Sequence, residues 1–176
     1  FRDKGDRHIA LRPEGTASVC RAFVQHRPLT PWKVWYAAPT FRYERPQAGR
    51  YRQHHQLGIE ALGASDPDLD VEVIAVAKTF LASLGLRQVT LVVNSLGTPD
   101  DRRSFTADLS AFLERNRDDL APEDRKNIVA NPLRVLDSKR QATREVTRTA
   151  PSILDHLSEG ARKHFDRVQD GLGSLG

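Results

Sequence analysis

Between Trp32 and Leu62 the sequence twice takes the period of a β-strand, with a loop crowded with arginines between the two runs. Trp32–Ala38 and Pro39–Arg45 read as β segments, residues 45–52 as a long polar loop, and Gln53–Leu62 as the returning strand. Successive side chains on a strand point to opposite faces, so Arg42 and Glu44 lie on one side and Phe41 and Tyr43 on the other. On the returning strand Gln56, Gly58 and Glu60 share a face, with Leu57, Ile59 and Ala61 opposite. The chain must therefore accommodate a hairpin with one apolar face and one polar floor. A bare glycine in that floor leaves room for a ligand to lie against the backbone.

The flanking sequence supplies helices to pack on such a sheet. Phe1–Asp3 and Arg7–Leu11 read as a short hairpin around Lys4-Gly5-Asp6, with Gly5 taking the positive φ. Thr16 can cap a helix running to about Gln25, with Val19, Cys20 and Phe23 on one face, and Pro28 and Pro31 stop it. Asp66-Pro67 places a capping acid before a first-turn proline, Val73, Val76, Phe80 and Leu84 line the helix that follows, and Gly85 ends it. Gln88–Val93 reads as a further short strand. From Thr98 onward the pattern is helical: Phe105, Leu109, Phe112 and Leu113 recur at helical spacing, then short segments are punctuated by Pro122, Pro132 and Pro151. An α+β fold with a boundary near residue 97 follows.

Charge narrows the partners. Residues 1–63 carry 11 Lys/Arg against 5 Asp/Glu, while residues 64–176 carry 16 against 18. The basic first third suits an anionic ligand such as a nucleotide or an RNA end. No run approaches the ~20 apolar residues of a membrane span, and the N-terminal residues lack a signal peptide's apolar core. The single cysteine, Cys20, permits no intrachain disulfide, which points to a reducing, cytoplasmic setting. The chain has no Met and ends on Gly-Leu-Gly-Ser-Leu-Gly, so both ends read as cuts from something longer.

For the hairpin itself two readings stand side by side. A half-solvated antiparallel sheet normally carries polar residues on its outer face. Against that, Arg45, Arg50 and Arg52 on one loop suit phosphates. Elsewhere the plain readings are preferred. His54 and His55 face opposite ways on a strand and cannot chelate one ion, so no metal site is expected. Cys20, Trp32, Trp35 and Tyr36 read as core or interface residues, and Lys139, Arg140, Arg144 and Arg148 as a solvated face.

Phe41-Arg42-x-Glu44 with its loop and return strand resembles motif 2, here residues 41–62, of the class II aminoacyl-tRNA synthetases. The fuller run from Phe41 to Glu60 is similar to the histidyl-tRNA synthetases, as are Leu11-Arg12-Pro13-Glu14-Gly15-Thr16, Asn94-Ser95-Leu96-Gly97 and Asn131–Lys139. The resemblance covers nearly the whole chain in order. It implies part of a class II antiparallel core with packing helices over residues 1–97, and a small helical insertion domain over 98–176. It also implies ATP-dependent activation of L-histidine and transfer to tRNA(His), within a cytoplasmic homodimer. ATP would bring Mg²⁺ as substrate, with no tightly bound cofactor.

Residue by residue, the resemblance implies that Arg42 holds the α-phosphate of ATP and is the catalytic group. Glu14, Gly15 and Thr16 would form the histidine loop, Gln56 would bind the amino-acid head group, and Glu60 would meet the imidazole. Glu44, Arg50 and His54 would serve ATP, with His54 standing where the family commonly has an aromatic platform for adenine. Gln47 and Arg52 would meet the tRNA acceptor end. The family's motif 1 would precede this chain and motif 3 would follow it, so these 176 residues are expected to hold half of a bipartite site and to show negligible aminoacylation alone. Two other readings are a non-catalytic synthetase-like regulatory subunit of histidine biosynthesis, and a simple RNA-binding module.

Overall fold

In a computed structural model, which describes residues 1–175, the chain divides into two compact units, Phe1–Leu86 and Arg87–Gly176. The first is built on the expected hairpin. Strand β1 (Trp32–Phe41) pairs antiparallel with β2 (Gln53–Leu62), in a register that sets Val34 opposite Glu60, Tyr36 opposite Gly58, Ala38 opposite Gln56 and Thr40 opposite His54. The two β segments expected before the loop are one continuous strand, which ends at Phe41 rather than Arg45. Paired residues point to the same side, so one face carries Gln56, Gly58 and Glu60, and Thr40 on it is fully buried.

Helix α1 (Thr16–His26) packs on β2, and Phe23 stacks on Trp32 with ring centroids 5.9 Å apart. Its N-terminus differs from expectation. Thr16 is the first helical residue, and the Glu14 carboxylate accepts the Ala17 N–H at 3.0 Å. Cys20, expected in the core, is exposed. Helix α2 (Pro67–Ser83) starts as read, with the Asp66 side chain accepting the Asp68 N–H at 2.9 Å and Pro67 at the first position. It lies along the other sheet face, where Lys33 and Glu72 pair at 2.5 Å. Trp35, Leu57, Ile59, Val73 and Phe80 line an open apolar cleft there of about 340 Å³, and Trp35, read as core or interface, is 72% exposed and so not core.

The N-terminal segment forms a single bridge, Arg2 to His8, rather than a two-stranded hairpin. Its turn puts Asp6, not Gly5, at positive φ, because the Asp3 carboxylate accepts the N–H groups of Gly5 and Arg7 and so fixes the turn. Gln88–Val93 is also not a strand, since no ladder forms along it among the described residues. Its β-branched composition fits a strand, but a strand exists only where a neighbour supplies backbone partners.

The second unit is helical among the described residues. Helix α3 (Pro99–Arg115) opens on a reciprocal cap: the Thr98 side chain accepts the Asp101 N–H, and the Asp101 carboxylate accepts the Thr98 N–H. Its inner stripe of Phe105, Leu109 and Leu113 is buried against Leu120, Ile128, Val135 and Ile153. Four short helices, α4 (Pro122–Arg125), α5 (Asn127–Ala130), α6 (Leu133–Leu136) and α7 (Gln141–Thr147), wrap this core, and α8 (Glu159–Ser174) buries Phe165 and Val168.

A buried carboxylate ties the short helices together. Asp124 accepts from Ser138 Oγ at 2.5 Å, Arg140 at 2.7 Å and Thr143 Oγ1 at 2.8 Å. Burial alone would raise its pKa, but these donors and the Arg140 charge outweigh it and hold the carboxyl below its ordinary value. Arg140 pairs with Asp124 and Glu123 while its side chain stays about half exposed.

Leu113 is fully buried, so Leu113→Ala is expected to cost about 2–5 kcal/mol in chemical denaturation. Because the folded Asp124 pKa lies below its unfolded value, its contribution is present above the unfolded pKa. It is lost as pH falls from about 4 towards the depressed folded value. Asp124→Asn should accordingly flatten the acid limb of a thermal-midpoint-against-pH curve.

Candidate functional site

The polar sheet face is roofed by the segment leading into α1, and a small set of bonds brings the two together. The Phe41 N–H donates to the Arg12 carbonyl at 2.9 Å, and Arg12 Nε donates to the Pro39 carbonyl at 3.0 Å. Arg42 Nε donates to the Pro13 carbonyl at 3.0 Å. Further on, Thr16 Oγ1 donates to Glu60 Oε1 at 2.6 Å. The loop 12–16 is thereby laced to both strands of the hairpin, and Glu14, Gly15 and Thr16 lie with Glu60 and Arg42 in one site.

The close approach has a steric basis. A Cβ at Gly15 would fall 2.3 Å from the Tyr36 ring, and one at Gly58 would fall 2.2 Å from it. The ring is wedged between two glycines, one on the loop and one directly across the sheet. Sequence reasoning left space over Gly58 for a ligand, but Tyr36 fills it. The sequence pattern alone marks Tyr36 only as core or interface. The signal that could have identified it is its register position opposite a glycine on the same face as Gln56 and Glu60.

Gln56 stands out on that face. Its side-chain oxygen is buried and has no hydrogen-bond partner among the described residues. An unpaired buried acceptor costs about 1–3 kcal/mol, a cost removed by any ligand that brings an N–H there. Glu60, by contrast, already holds the Thr16 hydroxyl. His54 is half-buried beside Thr40, whose hydroxyl donates to the His54 carbonyl at 3.3 Å.

The arginines separate into two kinds. Arg42 is held only through Nε, leaving the terminal amino groups of its fork without a carboxylate partner among the described residues. Arg50 pairs with Glu44 at 3.0 Å, and Arg52 donates to the Glu44 carbonyl at 3.1 Å while covering the Tyr43 ring at 4.7 Å. Glu44, Arg50 and Arg52 are thus drawn to one another. Gln47 lies at the loop tip, where Gln47 and Arg50 exchange two backbone hydrogen bonds around Gly49 at φ 74°. Among the described residues no cluster of three His, Cys, Asp or Glu side chains could hold a metal ion, and His54 and His55 lie on opposite sheet faces. No described helix is long and apolar enough to cross a membrane.

The sequence profile of the family described as "Histidyl-tRNA synthetase" matches residues 1–165. This chain belongs to the histidyl-tRNA synthetase family. It is 49% identical to the histidine–tRNA ligase of Acaryochloris marina and 51% identical to that of Levilactobacillus brevis, matching 99% and 100% of this chain. It spans only 41% and 42% of those two relatives. The crystal structure of apo S. aureus histidyl-tRNA synthetase superposes with a TM-score of 0.72 at 36% identity, over 100% of this chain and 41% of that one. The hairpin and its helices are therefore part of a class II histidyl-tRNA synthetase fold, in agreement with the α+β reading.

Gly58→Ala is expected to cost about 1–3 kcal/mol by overpacking, because Gly15 hems the Tyr36 ring on another side. Adding Tyr36→Ala should recover part of that loss, in a double-mutant cycle read by urea denaturation.

Proposed function

We propose that a full-length protein carrying this chain activates L-histidine with ATP and transfers it to tRNA(His), and that residues 12–60 supply one side of the adenylate-forming site. The reading rests on family membership and on one observation: two carboxylates (Glu14 and Glu60), the Thr16 hydroxyl and the unpartnered amide oxygen of Gln56 gather beside an arginine whose fork is open. Acceptors of that kind suit a ligand with an ammonium and a ring N–H. The Gln56 oxygen and the Glu14 carboxylate would take the α-ammonium. Glu60 would accept an imidazole N–H, with Thr16 keeping its carboxylate oriented.

The reaction needs little covalent help from the protein. The histidine carboxylate oxygen attacks the α-phosphorus of ATP, a new P–O bond forms, and the bond to the pyrophosphate oxygen breaks. Arg42, held by Pro13, would offset the charge that develops on the α-phosphate. His54 would lie under the adenine, and Mg²⁺ would arrive with the ATP. Arg50 and Glu44 would reach the nucleotide once their mutual ion pair opens. Gln47 and Arg52 on the hairpin loop would meet the tRNA end. In this reading residues 1–97 belong to the catalytic core and 98–176 to an insertion domain, of a cytoplasmic homodimer. A relative that binds histidine without activating it would show no histidine-dependent ATP–pyrophosphate exchange.

That assay is the test. Arg42→Ala is expected to lower the exchange rate by roughly 10²–10³-fold. Glu60→Ala should raise KM for histidine while leaving KM for ATP close to its original value, since its proposed contact is with the imidazole alone. Exchange unaffected by either substitution would sink the assignment of these residues.

A further inference from the structure

We propose that Arg12 is a positioning residue that couples the histidine loop to the phosphate-binding arginine through the carbonyl of Pro13. The inference rests on the reading given above for Arg42 and deepens it. Arg12 stands at the root of the loop and is fixed twice to β1: its carbonyl accepts the Phe41 N–H at 2.9 Å, and its Nε donates to the Pro39 carbonyl at 3.0 Å. The next residue, Pro13, then presents its carbonyl to Arg42 Nε at 3.0 Å. Three residues on, Thr16 reaches Glu60.

This arrangement has a mechanical consequence. A guanidinium is planar, so a bond at Nε restrains its orientation and leaves both terminal amino groups available as a fork. The partner that fixes it is not another side chain but the backbone of the loop carrying Glu14 and Thr16. Whatever seats that loop also aims the fork. Proline at position 13 restricts the backbone around the accepting carbonyl, and Arg12 clamps it from the other side. Loss of the Arg12 side-chain bond leaves the backbone bond to Phe41 alone to seat Pro13, and a displacement of about 1 Å at a reacting group can cost on the order of 10²-fold in rate. Arg12 therefore acts on the phosphate site through Arg42.

The test is a double-mutant cycle in a full-length protein carrying this chain, read by histidine-dependent ATP–pyrophosphate exchange with kcat and both KM values determined. Arg12→Ala alone should lower kcat by roughly tenfold or more, while the thermal midpoint reports that the protein remains folded. Arg12→Lys, which keeps a donor for the Pro39 carbonyl, should recover most of that loss. Arg42→Lys keeps a cation for the phosphate but has no Nε to give Pro13, so adding Arg12→Ala to it should change kcat by less than about twofold. Additive losses, as a purely structural role or a direct contact of Arg12 with substrate would give, overturn the coupling. So does an Arg12→Ala variant with unchanged kcat, or an Arg12→Lys variant as impaired as Arg12→Ala. Absence of exchange in the unsubstituted protein overturns instead the proposed function beneath it.

Discussion

The antiparallel register of β1 on β2 is the constraint on which the candidate site depends. Pairing Tyr36 with Gly58 puts Gln56 and Glu60 on the same face and brings Thr40 beside His54. A slip of one residue would turn that entire set to the opposite face. The same pairing gives the Tyr36 ring a place to lie, and the ring in turn sets how closely Gly15 can approach. The loop that carries Glu14 and Thr16 comes to rest where it does because two glycines flank one aromatic ring.

Within that frame the polar groups are in different states. Glu14 accepts an N–H at the helix start, and Glu60 accepts a hydroxyl. Gln56 alone among the described residues keeps a buried side-chain oxygen without a donor. The arginines are sorted in the same way. Arg50 and Arg52 are satisfied locally by Glu44 and Tyr43, whereas Arg42 is anchored by one nitrogen and open at the other two. Fixed orientation with free valences is what a binding group requires. The two tied arginines must first give up their partners.

Much of this was legible in the sequence because it rests on local rules. The alternation of Gln56, Gly58 and Glu60 is a period-two pattern. The Asp66-Pro67 start is first-turn chemistry, and the Phe105–Leu109–Leu113 stripe is helical spacing. What escaped depends on neighbours distant in sequence. Gln88–Val93 has strand composition but no ladder among the described residues. Cys20 has apolar company along its helix yet stands exposed. The wedge of Tyr36 between Gly15 and Gly58 needs residues 21 and 22 positions away, and the Arg12–Pro39 bond spans a similar distance. Glu14 took the capping role expected of Thr16, because its carboxylate reaches the free N–H of Ala17.

Helices of four residues such as α4, α5 and α6 are far below the length at which a helix holds itself together in water. Each exists only because Ile128, Val135 and Leu120 are buried with α3 and because Asp124 gathers Ser138, Arg140 and Thr143. No one of them can fray while its neighbours stay in place. The segment from Pro122 to Thr147 is therefore expected to open as one unit, its amide protons exchanging with solvent together rather than helix by helix.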